Sequence, residues 1–241
     1  MTPPSEHQQA RQSGYFVSTQ NRTAKARKIE CVLKDFLAAE SIENKRILDI
    51  GCGTGQISEY FARSNQVYCV DLVNNLQSTK GNAITFKRVD SELLPFSDRS
   101  FHIVISNHVV EHVRDQRLHL REIKRVLMQE GVCYFATPNR SFLLEPHYKI
   151  PLIHYLPDAM FHGILRLLGK YKEDLSLLRH GQMISLFAQE NLQTTEYTSK
   201  VLKDPSRFEL GVTVTRFIPR SLLHILTPLS PTNIFVLQPI S

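Results

Sequence analysis

The chain has 241 residues, 42% of them hydrophobic, and a formal net charge of +6 at pH 7. That length suits one α/β domain with an elaboration, and the apolar share is enough for a real core. No run reaches eighteen apolar residues, which excludes a membrane-spanning helix, and the basic residues are spread along the chain, which argues against a nucleic-acid partner.

The opening residues MTPPSEHQQARQSG are polar and lack the apolar stretch of a secretory signal, so a mobile leader is expected over 1–21 and a single domain over 22–241. Residues 22–40 predict an amphipathic helix, since Ile29, Val32, Leu33, Phe36 and Leu37 recur at helical spacing and Asn21 or Thr23 can cap it. The short apolar run at 46–50 predicts a buried parallel strand, followed by a glycine turn and a helix over 56–62. Further strands are expected at 66–71, 84–89, 102–107 and 132–137, and a helix at 115–129 carries Leu120, Ile123, Val126 and Leu127 on one face. Gly131 is expected to close that helix in the left-handed conformation. The tail predicts a helix at 183–192, a strand at 193–201 and a last strand at 233–239, and FIPRSLLHIL between them has helical character. Such alternation builds a parallel sheet with helices on both faces. Four cysteines (Cys31, Cys52, Cys69, Cys133) without CxxC spacing argue against disulfides and zinc, and point to a reducing, cytoplasmic setting.

The run ILDIGCGTGQ, Ile47 to Gln56, is the most informative stretch. Gly51, Gly53 and Gly55 leave a tight turn free of side chains between a strand and a helix, where a ligand can lie on the backbone. Asp71 falls at the end of the next strand, where a βαβ unit presents a carboxylate to ribose hydroxyls. The third glycine comes one residue earlier than in dinucleotide loops, and Asp49 would repel a pyrophosphate while suiting a positive centre. A ligand with a ribose and a cation fits, as in S-adenosylmethionine; NAD fits poorly, and the Tyr-x-x-x-Lys pair of an NAD-dependent oxidoreductase is absent.

From Ile47 to Asn139 the chain resembles the class I S-adenosylmethionine-dependent methyltransferases, in the broad subgroup that includes the ubiquinone and menaquinone methyltransferases. ILDIGCGTG, VDL around Asp71, VDSELLPFSDRSF and IVISNHVVEHV carry the resemblance, followed by LREIKRVL and ATPN. It implies a Rossmann-like fold, with a seven-stranded, mostly parallel sheet and an antiparallel last strand. It also implies that Asp49, Gly51, Cys52 and Gly53 line the methionine end of S-adenosylmethionine, Asp71 and Leu72 the ribose, and Asp90 and Ser91 the adenine. Asn107 and His108 border the methionine portion. Histidine suits a base near neutrality, and His112 is the candidate, with the lid histidines His147, His154 and His162 open beside it. Two departures, His102 in place of the family's Asp and Gln129-Glu130-Gly131 in place of Pro-Gly-Gly, bear on packing rather than on ligand contacts.

Residues 141–180 exceed what the sheet needs and leave from the edge that carries the glycine turn, so a helical lid over an acceptor pocket is expected. Its apolar residues, interspersed with Lys149, Arg166, Lys170 and Lys172, suit a small or lipid-linked acceptor and a peripheral contact at the inner membrane surface. The reaction expected is methylation, on oxygen, without a metal. A non-catalytic subunit that binds the same cofactor and a tRNA or protein methyltransferase stay open as alternatives.

Overall fold

The computed structural model describes residues 19–76, 84–142, 158–167, 176–209 and 230–240. Most of the expected leader, the lid segments 143–157 and 168–175, and FIPRSLLHIL lie outside the described residues.

Helix α1 (Thr19–Leu37) is followed by β1 (Arg46–Ile50), α2 (Gln56–Phe61), β2 (Gln66–Asp71) and β3 (Ile84–Arg88). After β4 (Phe101–Asn107) come a short 3-10 turn (Val110–His112), α3 (Gln116–Val126) and the long β5 (Leu127–Pro138). The remainder is α4 (Asp158–Leu167), α5 (His180–Gln189), β6 (Leu192–Glu196), α6 (Thr198–Lys203) and β7 (Thr232–Pro239).

The strands form one sheet in the order β3-β2-β1-β4-β5-β7-β6. β7 runs antiparallel to both of its neighbours, β5 and β6, and the other pairs are parallel. The expected architecture is therefore present, with the antiparallel strand inserted beside the edge strand β6. The strand order reverses beside β1, which opens a crevice at the carboxyl edge between β1 and β4.

Alternation along the strands divides the core in two. Ile47, Ile103, Ile105, Tyr134 and Val236 face α1, α2 and α6, meeting Ile29, Val32, Leu33, Phe61 and Val201. Leu48, Val104, Cys133, Phe135 and Leu237 face α3 and α5, meeting Leu120, Ile123, Val126, Met183 and Phe187. Successive residues point to opposite faces, so both faces of each central strand must be apolar, and burial of each such side chain contributes roughly 1.5–3 kcal/mol. His102, the departure noted in the sequence, accepts a bond at Nδ1 from the Arg46 N–H at 3.0 Å and so secures the start of β1.

Several boundaries differ from expectation for local reasons. Helix α1 begins ahead of Asn21 and Thr23, so neither caps it, and it stops at Leu37 because Ala38 turns left-handed at φ 48. Helix α3 starts at the expected place, capped by Asp115, which accepts from the Leu118 N–H at 2.9 Å. It ends at Val126 instead of 129, because the Arg99 and Ser100 N–H groups take the carbonyls of Arg125 and Val126. Leu127 then pairs with Phe101, and Val132 pairs with Ile103, so the residues between bulge from β5. Gly131 sits in that bulge and does not take the left-handed conformation; a side chain there would meet the Met128 carbonyl at 2.9 Å. The expected helix at 183–192 is His180–Gln189, and the expected strand at 193–201 divides into β6 and α6. The Glu196 carboxylate accepts from the Ser199 N–H and hydroxyl, starting the helix where β propensity alone would have continued the strand.

Candidate functional site

The glycine turn lies at the carboxyl edge of β1. Gly51, Gly53 and Gly55 take φ values of +67, +57 and +79, which any other residue adopts only under strain. Two of them are needed for space as well: a Cβ on Gly51 would lie 2.8 Å from Val109 Cγ2, and one on Gly55 would lie 2.4 Å from Leu76 Cδ2. Val109 and Leu76 therefore close on the turn from either side, while Gly51 is exposed and Gly53 half-exposed.

Two carboxylates hold the turn. Asp71 Oδ2 accepts from the Gly53 N–H at 2.8 Å, and Asp71 Oδ1 accepts from the Leu72 N–H at 2.7 Å. Each oxygen keeps a lone pair for a further donor, so a ribose hydroxyl and the turn can share this group. Asp49 is buried, and the Ser58 hydroxyl donates to its Oδ2 at 2.5 Å. The Cys69 thiol in turn donates to Ser58 Oγ at 3.3 Å. The structure thus shows Asp49 pinning β1 to the helix that follows the turn. Cys52 is buried; its hydrogen bond with Cys69 and its burial push the thiol far above the ordinary range, which leaves it unreactive.

The adenine-side candidates stand nearby and open. Val89 donates its N–H to the Asp71 carbonyl at 3.0 Å, which ties the start of the Asp90–Ser91 segment to the ribose-side acid. Asp90 and Ser91 are exposed just past it. Glu92 bonds the Arg114 N–H at 2.8 Å, drawing this segment toward the stretch after β4.

Across the crevice, β4 ends at Asn107, and the chain turns sharply: His108 has φ +60, and its N–H donates to the Ala136 carbonyl at 2.8 Å. The 3-10 turn that follows buries Glu111 completely. Glu111 Oε1 lies 3.5 Å from His108 Nδ1 and 3.9 Å from His112 Nε2, and Thr137 donates to Oε2 at 3.3 Å. His112 is thus placed with His108 on either side of one carboxylate. Burial pushes the Glu111 pKa up, but hydrogen bonding and charge from His108 and the charge of His112 outweigh it, holding the group below its ordinary value. Burial lowers the His108 pKa, and Lys25 and Lys28 act in the same direction against the upward pull of Glu111. A neutral imidazole beside an ionised carboxylate is an arrangement that can accept a proton near pH 7. Among the described residues, no group of three or more His, Cys, Asp or Glu side chains is disposed to hold a metal ion.

Beneath this turn, Ser106 Oγ and His119 Nε2 lie 3.0 Å apart in the core, and burial lowers the His119 pKa to about 4. Sequence reasoning did not single out Glu111, Ser58, Val109 or Leu76 as parts of the site. The spacing His108, Glu111, His112 carried a signal for Glu111, because residues three apart share a face of a helical turn. Ser58 and Leu76 had none, since their roles depend on which strands become neighbours.

Comparison with known proteins bears on this region. Residues 48–135 match a family model described as a methyltransferase domain. The ubiquinone biosynthesis O-methyltransferase of Rhizobium rhizogenes is 30% identical over 116 residues, covering 45% of this chain and 47% of that protein. The protein of the same name from Mesorhizobium japonicum is 33% identical over 116 residues, with the same shares. The chain spans about half the length of the curated relatives it matches. An S-adenosylmethionine-dependent methyltransferase from Mesorhizobium loti superposes with a TM-score of 0.58 at 14% identity, covering 81% of this chain and 91% of that one. A putative methyltransferase solved with the Trm112 activator of Haloferax volcanii gives a TM-score of 0.58 at 16% identity, covering 100% of both chains. At these identities the structural likeness is one of fold.

Proposed function

We propose that this chain, a class I S-adenosylmethionine-dependent methyltransferase by fold and by sequence match, transfers a methyl group to a hydroxyl of a small or lipid-linked acceptor. The observation that carries the reading is the Gly51–Gly55 turn clipped to Asp71, with Val109 packed on it and His108, Glu111 and His112 next along the chain. A backbone turn flanked by two carboxylates matches the chemistry of a ligand that carries a ribose and a positive centre.

Asp49, Gly51, Cys52 and Gly53 border the methionine end of the donor in this reading. Asp71 and Leu72 take the ribose, Asp90 and Ser91 the adenine, and Asn107 and His108 close the far side. Bound S-adenosylmethionine supplies an activated methyl group on a sulfonium, so the protein's part is to align the acceptor and keep water out. As the acceptor oxygen bonds to the methyl carbon, the carbon–sulfur bond breaks and its electron pair stays on sulfur. The acceptor proton goes to an imidazole. His112 was the candidate from sequence; the structure adds His108 as a partner on the same carboxylate, with Glu111 a positioning residue for both.

No helix among the described residues is long and apolar enough to cross a membrane. Support for an interfacial contact comes from α4, where Met160 and Leu167 are 55% and 87% exposed beside Arg166, with Lys170 and Lys172 following in sequence. Apolar anchors next to cations suit anionic headgroups.

Incubation with labelled S-adenosylmethionine and a fractionated extract of lipids and metabolites tests the reaction, and label transferred to a hydroxyl-bearing product is the expected result. Tight NAD binding with no response to the methyl donor would sink the reading. Co-sedimentation with anionic vesicles should fall in a Lys170→Glu, Lys172→Glu variant. Efficient methylation of a fully water-soluble acceptor, with no vesicle binding, would reject the lipid part alone.

A further inference from the structure

We infer that a groove at the amino edge of the sheet, away from the glycine turn, is a docking site for a partner protein, and that the segment it takes is acidic and carries a large apolar side chain. The inference goes beyond the methyl-transfer reading and does not depend on it.

The amino edge is where β4 and β5 begin and where β7, running antiparallel, ends. Leu127 pairs with Phe101 there, and Pro239 pairs with Leu192 at the start of β6. Between the last turns of α3 and the end of β7 lies a groove of about 520 Å3. Leu127, Pro239 and Ile240 supply its apolar lining, and Ile240 is 51% exposed. Arg99, Arg121, Lys124 and Arg125 bring four cations to it, against one acid, Asp98.

Two of those cations are matched. Arg125 bonds Glu122 through Nε and Nη2, each at 2.7 Å, and Asp98 through Nη1 at 2.7 Å, which uses the acid of the groove. Arg121 bonds Glu190 at 2.7 Å. The side chains of Arg99 and Lys124 make no hydrogen bond or ion pair with any described residue. Neither is needed to finish α3, because the carbonyls of Arg125 and Val126 already accept from the Arg99 and Ser100 N–H groups. Arg99 also holds φ +50, a left-handed backbone that asparagine or glycine adopts with less strain. A charge is thus kept where the backbone favours another residue.

An apolar floor under unmatched cations selects the occupant. A free phosphate would use the cations and leave the floor wet. A membrane receives protruding anchors, whereas these apolar side chains line a recess. Single-stranded nucleic acid needs aromatic platforms for its bases, and no aromatic residue is among the described lining. An extended acidic segment uses both features: one apolar side chain fills the recess, and flanking carboxylates form charge-assisted bonds with Arg99 and Lys124. The groove and the crevice open at opposite edges of the sheet, so such a segment can stay bound during turnover.

Selection from a phage-displayed library of short random peptides tests this on the full chain, comparing wild type with an Arg99→Asn, Lys124→Gln variant. Asparagine suits the left-handed backbone and glutamine suits a helix, so the variant should melt at the wild-type temperature. Should it melt lower, Lys124→Gln alone decides. Wild type is expected to enrich peptides in which Asp or Glu flank Leu, Ile, Met or Phe, and the variant to lose them. In fluorescence anisotropy an enriched peptide should bind the variant about tenfold more weakly, and an Ile240→Ser chain roughly threefold more weakly. The inference is overturned if no peptide is enriched, if the enriched peptides lack acidic residues, or if the variant binds them as well as wild type does. Displacement of the peptide by S-adenosylhomocysteine would place it in the crevice and overturn the inference equally. Binding of heparin or of phosphatidylserine vesicles at peptide-like affinity, lost in the same variant, would give the groove to nucleic acid or membrane instead.

Discussion

The two sides of the crevice are built differently. The side formed by β1 and β2 is a backbone device: Gly51, Gly53 and Gly55 turn the chain, and Asp71 clips the turn through the Gly53 N–H at 2.8 Å. Its hydrogen-bonded parts lie between Asp49 and Leu72, with Leu76 and, from across the crevice, Val109 closing over it. The other side is a side-chain device. His108, Glu111 and His112 come from the turn after β4, and Thr137 from β5. In the proposed reading the backbone turn takes the ribose of the donor and the titrating side chains act on the reacting proton. The first side should therefore govern donor affinity and the second turnover.

The largest expected effect lies on the side-chain half. Glu111→Gln should lower kcat by roughly a hundredfold or more, the scale of general acid–base assistance, while S-adenosylhomocysteine affinity stays within about twofold. Equal losses in kcat and donor affinity would erase the division between the two sides. Support under that half should fail in acid. His119 has its pKa lowered to about 4 in the fold, against an ordinary 6.5. Its contribution to stability is full above pH 6.5 and is lost as the pH falls toward about 4, because the unfolded chain takes up a proton that the core refuses. The loss amounts to roughly 3 kcal/mol, and chemical denaturation at several pH values should show the slope flatten in His119→Gln. An unchanged slope in that variant would remove His119 as its source.

On the backbone half, Asp71→Ala should weaken S-adenosylmethionine by about ten- to a hundredfold, the equivalent of roughly 1.5–3 kcal/mol, by removing a charged partner of the turn and, in the proposed reading, of the ribose. Calorimetry showing wild-type affinity would take Asp71 out of the site. The smallest effect belongs to Gly55→Ala. The left-handed conformation costs roughly 1–2 kcal/mol for alanine, and the new methyl meets Leu76. Adding Leu76→Ala should restore the steric share of the lost donor affinity and leave the conformational share. Full recovery in the double variant would mean that contact, and not backbone conformation, is what requires glycine at this position.

Legibility in the sequence followed the same division. The turn, Asp49 and Asp71 were readable because their partners are close in sequence and glycine spacing has few meanings beside a strand. Glu111 was passed over because an acid next to a histidine looks like an ordinary surface pair, until the 3-10 turn buries it between His108 and His112. The helix after β4 was read three residues too long because LMQ continues the helical pattern, while the pull of Phe101 on Leu127 is invisible locally.

By itself the sequence determined the alternation of strands and helices, the place of the glycine turn and the position of Asp71 at the end of the next strand, since each depends on periodicity or on neighbours a few residues away. Only the tertiary structure decided which carboxylate the histidines share and what packs against Gly51 and Gly55. Those contacts join residues whose separation along the chain carries no signal. The sheet order β3-β2-β1-β4-β5-β7-β6 brings them to one edge, and burial there sets their charge states.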